Sequence, residues 1–282
     1  MKKISFLLLT SLALFANEAI DDKYRGYSYV SVGMENITYQ EDIVLGDGSV
    51  IHSNASTTSP VYISGSLVKI NNRYDFSIDI SSTLLPSQSE EEWYVNGDLA
   101  QKNQFDALIS NMQFLIHYKY TNNHRLLAGL MYKLNTFKRY QFVDEEGNPI
   151  VDQATGAKIG LIEERVATLY AALGYGYEST YFANKEHIRY KCSALIGQAI
   201  WSQATSTGFE EVTFDSLSSY KAELSGYVGY PIYEGLEIGV FANYIYEKKN
   251  GVDVADDGHT KWPENDLELW QTGLSVVWNF SK

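Results

Sequence analysis

The stretch Tyr74-Asp75-Phe76-Ser77-Ile78-Asp79-Ile80-Ser81 decides the fold. Apolar and polar residues alternate in it without a break, a period of two that suits a β-strand with one face on an apolar medium and the other on a polar one. Outward from it, the same alternation recurs. Leu126, Ala128, Leu130, Tyr132 and Leu134 interleave with Arg125, Gly129, Lys133 and Asn135, and Ile188, Tyr190, Cys192, Ala194 and Ile196 with Arg189, Lys191, Ser193 and Gly197. Further on, Tyr220, Ala222, Leu224, Val228 and Tyr230 face away from Lys221, Glu223, Ser225 and Gly229. Leu236, Ile238, Val240, Ala242, Tyr244 and Tyr246 face away from Glu237, Gly239 and Asn243.

Ten such segments are expected, at 24–40, 57–70, 73–85, 104–120, 125–140, 164–179, 187–202, 217–230, 235–248 and 267–280. Short turns sit at Asn71 and Asn72, Thr121 to His124, Tyr181 to Glu186 and Pro231 to Gly235, and the other five connections are expected to be long loops. An even strand count with short and long connections sorted to opposite ends predicts an all-β, ten-stranded antiparallel up-and-down transmembrane barrel. Its short turns would be periplasmic and its long loops extracellular. A soluble barrel also alternates, but it turns its apolar face inward and exposes a heavily charged one. Here the polar set is mostly Ser, Gly, Asn and Thr, which suits a crowded interior.

Composition excludes the other classes. Aromatics make up 14% of the 282 residues, 22 of them Tyr, and a mean hydropathy of -0.23 is too polar for a bundle of membrane helices. With 45% hydrophobic residues the chain is not disordered. The single thiol, Cys192, excludes an intramolecular disulfide framework. The formal net charge of -13 argues against a nucleic-acid partner. No Gly-rich phosphate loop appears and no cofactor is expected.

The N-terminus reads as an export signal over residues 1–19. Lys2 and Lys3 precede an apolar run from Ile4 to Phe15 too short to span a bilayer, with cleavage expected after Ala16 or Ala19 and the barrel over 20–282. No Cys follows the run, so lipid attachment there is not expected.

The last strand carries Gln271, Gly273, Val276, Trp278 and Phe280, with Ser281 and Lys282 after the final aromatic. It resembles the C-terminal β-signal of outer-membrane proteins, which implies recognition by the barrel assembly machinery. Aromatics are expected in two girdles, with Tyr118, Tyr175, Tyr230 and Trp278 near the periplasmic ends. Tyr132, Tyr140, Trp201, Tyr220, Tyr244 and Trp270 lie toward the outer ends.

Strand parity places Glu35, Asp75, Asp79, Glu223 and Glu237 inside with Lys119, Arg125, Lys133, Arg189, Lys191 and Lys221, and His117 nearby. Asp75, Lys119, Arg125, Arg189 and Glu237 all lie near a periplasmic turn and are expected at one level. Because about eight strands already fill their own interior with side chains, ten predict a salt-bridged, hydrated plug in the periplasmic half. The alternative is a narrow ion path.

The long loops together carry a formal charge of -17. That acidity suits solubility and repulsion of anionic headgroups, or recognition of a divalent cation or a basic partner. Asp253, Asp256 and Asp257 before Gly258 match part of a calcium loop, but Ala255 stands where an oxygen ligand is needed. The loop Val143 to Ile159 is expected to prolong its strands as a projecting hairpin. Trp93, Tyr94, Phe209, Phe214 and Trp262 would supply aromatic anchors or seal the loops against one another.

The strand count is similar to that of the omptin outer-membrane proteases, a resemblance that implies catalytic Asp and His residues on facing strands at the outer rim. No match to their motifs occurs here: His117, His124 and His187 lie toward the periplasmic end, and His52 and His259 lie in loops. The expectation is therefore not an enzyme but a surface protein for adhesion, ligand binding or envelope integrity. A narrow diffusion channel comes next, then a rim protease or lipid hydrolase. The expected partners are outer-membrane lipid and lipopolysaccharide, the assembly machinery, and an extracellular ligand or divalent cation.

Overall fold

A computed structural model describes residues 24–45, 47–152, 155–179, 188–207, 209–213, 219–253 and 261–281. The signal segment, His187, His259, Phe214, Asp256 and Asp257 lie outside the described residues.

Ten strands form the wall: β1 (Tyr24–Val44), β2 (Val50–Lys69), β3 (Tyr74–Thr83), β4 (Asp98–Lys119), β5 (His124–Asp144), β6 (Ile162–Glu178), β7 (Arg189–Ser206), β8 (Ser219–Tyr233), β9 (Leu236–Lys249) and β10 (Glu264–Ser281). Each pairs antiparallel with its sequence neighbour, and β1 pairs with β10 from Tyr24↔Ser281 to Asp42↔Glu264, which closes the ring. Closure leaves no open sheet edge, the condition for strands to cross a layer without water. The turn between β2 and β3 shows how locally the short connections are specified. The Asn71 side chain accepts hydrogen bonds from the backbone amides of Arg73 and Tyr74, at 2.8 and 2.9 Å.

The strands run further at the long-loop end than their alternation indicates. The connection expected over residues 41–56 shrinks to 45–49, because β1 and β2 stay paired out to Val44↔Val50. Residues 86–103, expected as a loop, instead contain a strand, Ser89–Val95, inserted between the upper parts of β2 and β4. It fills a gap in the wall: β3 stops at Thr83 while both of its neighbours continue. After β5 the chain makes bridges at Val143↔Pro149 and Val151↔Lys158, a hairpin-like extension. Phe209–Thr213 pairs with β7, and Val252–Asp253 with Lys261–Trp262.

The outer wall carries an apolar belt. On β10 the outward residues are Trp278, Val276, Leu274, Thr272 and Trp270, and above them Glu268, Asp266 and Glu264. Nine residues from Trp278 to Trp270 match the length a tilted strand needs to cross a hydrocarbon layer. Tyr175, Tyr190 and Tyr230 mark the same lower edge on other strands, and Tyr132, Trp201, Tyr220 and Tyr244 the upper one. Tyr140 does not belong to that girdle. It lies eight residues above Tyr132 and hydrogen-bonds Asp106, at 3.3 Å.

Candidate functional site

The bore is filled in layers, and each layer follows from strand parity. Nearest the short turns is a floor of ion pairs. Lys119 Nζ donates to Asp75 at 2.7 Å, and Arg125 Nη2 lies 3.9 Å from the same carboxylate. Arg125 also pairs with Glu178. Arg189 bridges Glu178 at 2.5 Å and Glu237 at 3.0 Å, and Glu237 accepts a further bond from the Tyr227 hydroxyl at 2.5 Å. Lys191 approaches Glu178 at 3.5 Å with its ammonium 3.4 Å above the centre of the Tyr27 ring. The five residues expected at one level, Asp75, Lys119, Arg125, Arg189 and Glu237, are joined in this one network. Its hub, Glu178, was not singled out from the sequence, although its inward position on β6 follows from the Leu173/Tyr175 alternation.

Above the floor is a cavity of about 210 Å³. Asp79 faces it, accepting from Tyr29 at 2.7 Å and from Ser77 at 3.1 Å. His117 hydrogen-bonds Ser77 at 2.9 Å. A second polar layer closes over the cavity. Glu223 accepts from Gln113 at 2.7 Å and lies 3.0 Å from Lys221, which also donates to Asn111 at 3.1 Å. Glu35 accepts from Thr83 at 2.5 Å and from Gln271 at 3.0 Å. Lys133 pairs with Glu247, which takes a bond from Tyr170 at 2.5 Å. Gln271 thus faces the lumen, so its polarity has an interior use alongside the assembly signal it resembles.

The next layer holds an apolar cluster. Ile37, Tyr39, Phe105, Phe137, Ile245, Leu267 and Leu269 form one buried cluster on one side of the bore, with the Tyr39 and Phe137 ring centres 4.3 Å apart, and on the other side the buried Lys249 donates to Thr168 at 3.0 Å and to Ser202 at 2.7 Å. Period-two alternation assigns apolar residues to the outer face; these are on the inner face, beyond the belt, and parity alone missed them. Once the strands pass the belt, solvent surrounds the outer face and the core moves inward, as in a soluble barrel.

Arg139 lies at the top of this cluster, in contact with three carboxylates. It donates to Glu91 from Nε at 2.7 Å and to Glu41 from Nη2 at 2.9 Å, and it pairs with Glu164. The Trp93 ring lies against the guanidinium, 5.4 Å from its carbon, and the indole N–H donates to Asn103 at 2.8 Å. Trp93 therefore faces inward. Trp262 is buried against Val166 and Ala204. Tyr94 hydrogen-bonds Glu92 at 2.6 Å.

At the long-loop end the described acid and imidazole closest to an acid–base pair are Asp42 and His52, 2.8 Å apart. They are directly opposite on β1 and β2 with outward parity, so they face away from the bore. Among the described residues no group of three or more His, Cys, Asp or Glu side chains is arranged to hold a metal ion. Of the calcium candidates, Asp253 is described by its backbone pairing with Lys261 alone.

No family model matches the chain, and no curated protein matches it. Its fold has solved counterparts. The outer-membrane protease OmpT from Escherichia coli superposes with a TM-score of 0.62 at 11% identity, covering 93% of this chain and 99% of that one. OprG, an outer-membrane protein of Pseudomonas aeruginosa, matches at 9% identity and a TM-score of 0.40, over 92% and 99%. The transport unit of the Escherichia coli autotransporter AIDA-I matches at 10% identity and 0.40, over 98% and 97%. The chain has the fold of the outer-membrane β-barrels, and identities this low show the fold alone.

Proposed function

We propose that this chain is an exported outer-membrane surface protein with a closed bore, and that it works by binding a basic partner at its extracellular, long-loop end. The observation that carries the reading is the stacking of Tyr39, Phe105 and Phe137 inside the bore above the ion-paired floor. A path for ions needs an open, hydrated passage, and the packed aromatic cluster, with the buried Lys249 held by Thr168 and Ser202 on the facing side, fills the bore instead. The Trp270-to-Trp278 belt supports residence in the outer membrane, in contact with its lipid and lipopolysaccharide.

The charge distribution supports the choice of partner. Above the belt the outward face from β9 to β2 presents Glu264, Asp266, Glu268 and Asp42 in adjacent strands, with Lys248 paired among them. The acidic loops continue the same sign, and a field of one sign steers partners of the other. The decisive experiment is single-channel conductance of the protein refolded into a planar bilayer, once a boiled-versus-unboiled gel shift shows a folded barrel. Silence is expected. Steady current above the empty bilayer would replace this reading with a narrow diffusion channel.

A further inference from the structure

The chamber of about 210 Å³ between the floor and the second polar layer has charge of both signs on its walls, held apart. Among the described residues, the ion pairs of the floor join four cations (Lys119, Arg125, Arg189 and Lys191) to three carboxylates (Asp75, Glu178 and Glu237). Lys191 is the outermost of them. It reaches Glu178 at 3.5 Å, where Arg189 already sits at 2.5 Å, and its ammonium extends over the Tyr27 ring into the chamber. A carboxylate lies on another wall. Asp79 is held by two hydroxyls, Tyr29 and Ser77, and among the described residues no cation lies within ion-pair reach of it.

Lys191 is on β7 and Asp79 on β3, and both line the chamber, so its open space separates an ammonium that shares its carboxylate from a carboxylate held by hydroxyls. In a low-dielectric bore such charges gain from a bridging dipole that meets each with a charge-assisted hydrogen bond. Between them the walls combine hydroxyls with apolar surface from Leu115, Phe241 and Ile63. We propose that this chamber binds a small zwitterion, in chemical class a free amino acid with an apolar side chain, its carboxylate on Lys191 and its ammonium on Asp79.

The test uses three matched probes on the full refolded chain in detergent, by isothermal calorimetry. L-Leucine carries both charges, isopentylamine lacks the carboxylate and 4-methylpentanoate lacks the amine. Saturable binding of leucine is expected, with each single-charge analogue weaker by about tenfold or more, the loss of one charged hydrogen bond. Asp79→Asn and Lys191→Met should each weaken leucine to a similar degree, while Arg165→Gln on the outer wall, 62% exposed, should leave it unchanged. A chamber that holds water alone would show no saturable heat with any probe. That result, equal binding of all three, or unaltered binding in folded Asp79→Asn would each overturn the proposal. If a variant fails the gel-shift test for folding, the three probes on the unmodified protein decide. Current through the barrel would refute the closed bore and leave this comparison intact.

Discussion

Arg139 and Glu41 meet 2.9 Å apart at the outer mouth of the bore, both shielded from solvent. Two more carboxylates, Glu91 and Glu164, share the same guanidinium, so this buried group has more negative than positive charge. Glu41 is on β1 five positions beyond the pair Asn36↔Trp270, above the apolar belt. Burial is the largest influence on its acidity. The Glu164 and Glu91 charges add to it, and Arg139 and the Tyr39 hydroxyl oppose it, with the net effect of pushing Glu41 up to about 7.

The sign of the pH dependence follows. A carboxyl whose folded value lies above its ordinary 4.5 favours the folded state fully at low pH, and that contribution is lost as pH rises from about 4.5 through about 7. Glu41→Gln keeps the shape and removes the titration. Its unfolding midpoint relative to the unmodified protein should therefore increase between pH 5 and pH 8, measured by urea titration with a gel-shift readout. A constant difference across that range would show that Glu41 ionises as an ordinary carboxylate.

Glu178 holds Arg125, Arg189 and Lys191 together in the floor. Removing it leaves three cations facing one another in a buried site, whereas Glu163 on the outer wall pairs with an Arg165 that is 62% exposed. Glu178→Ala should destabilise the barrel by about 3–5 kcal/mol, the cost of uncompensated buried charge. Glu163→Ala should cost within about 0–1 kcal/mol. Equilibrium unfolding of the two variants compares them directly, and similar values would show that the floor is hydrated enough to screen its own charges.

The aromatic layer should behave as a soluble-protein core although it lies inside a barrel. Phe105 is fully buried beside the Tyr39 and Phe137 pair, with ring centres 5.7 Å from each. Phe105→Ala is expected to cost about 3–5 kcal/mol and Phe105→Leu much less, since the cost follows the void left behind. On the lipid-facing wall Leu274→Ala leaves no internal void and should cost less than Phe105→Ala in the same unfolding assay.

How much of this could be read from the chain depends on what surrounds each strand. Within the belt both media are uniform, lipid outside and polar bore inside, so alternation located Asp79, Lys191 and Glu237 without further information. Beyond the belt the outer medium becomes water while the pattern continues, and the alternation no longer says which face is the core. Tyr39 and Phe105 are inward for that reason, and Arg139, Glu41 and Glu91 joined no expected group because they come from segments taken as strand ends and loops. Ser89–Val95 was hidden by a third effect. Three consecutive Glu residues read as solvated loop, but Glu91 faces Arg139 inside while Glu90 and Glu92 meet Lys102 outside.

Gly273 belongs to the expected assembly signal, and its surroundings give it a second reason to be glycine. It pairs with Gly33 across the β1–β10 seam. A methyl group placed there would come within 2.2 Å of the Val32 carbonyl, 2.6 Å of Gly33 Cα and 2.8 Å of the Phe241 ring. Two of those three atoms are backbone, so relief requires the seam itself to move. Because β1 to β10 is the contact that closes the ring, a shift there affects closure of the barrel. Gly273→Ala should therefore lower the folded yield and the unfolding midpoint in detergent refolding, with no assembly machinery present. Enlarging the space with Phe241→Leu relieves the ring contact and leaves the two backbone contacts in place, so it should rescue Gly273→Ala in part. If Gly273→Ala instead refolds normally in detergent and fails only during assembly in cells, the glycine is read by the machinery and the close packing at the seam is tolerant.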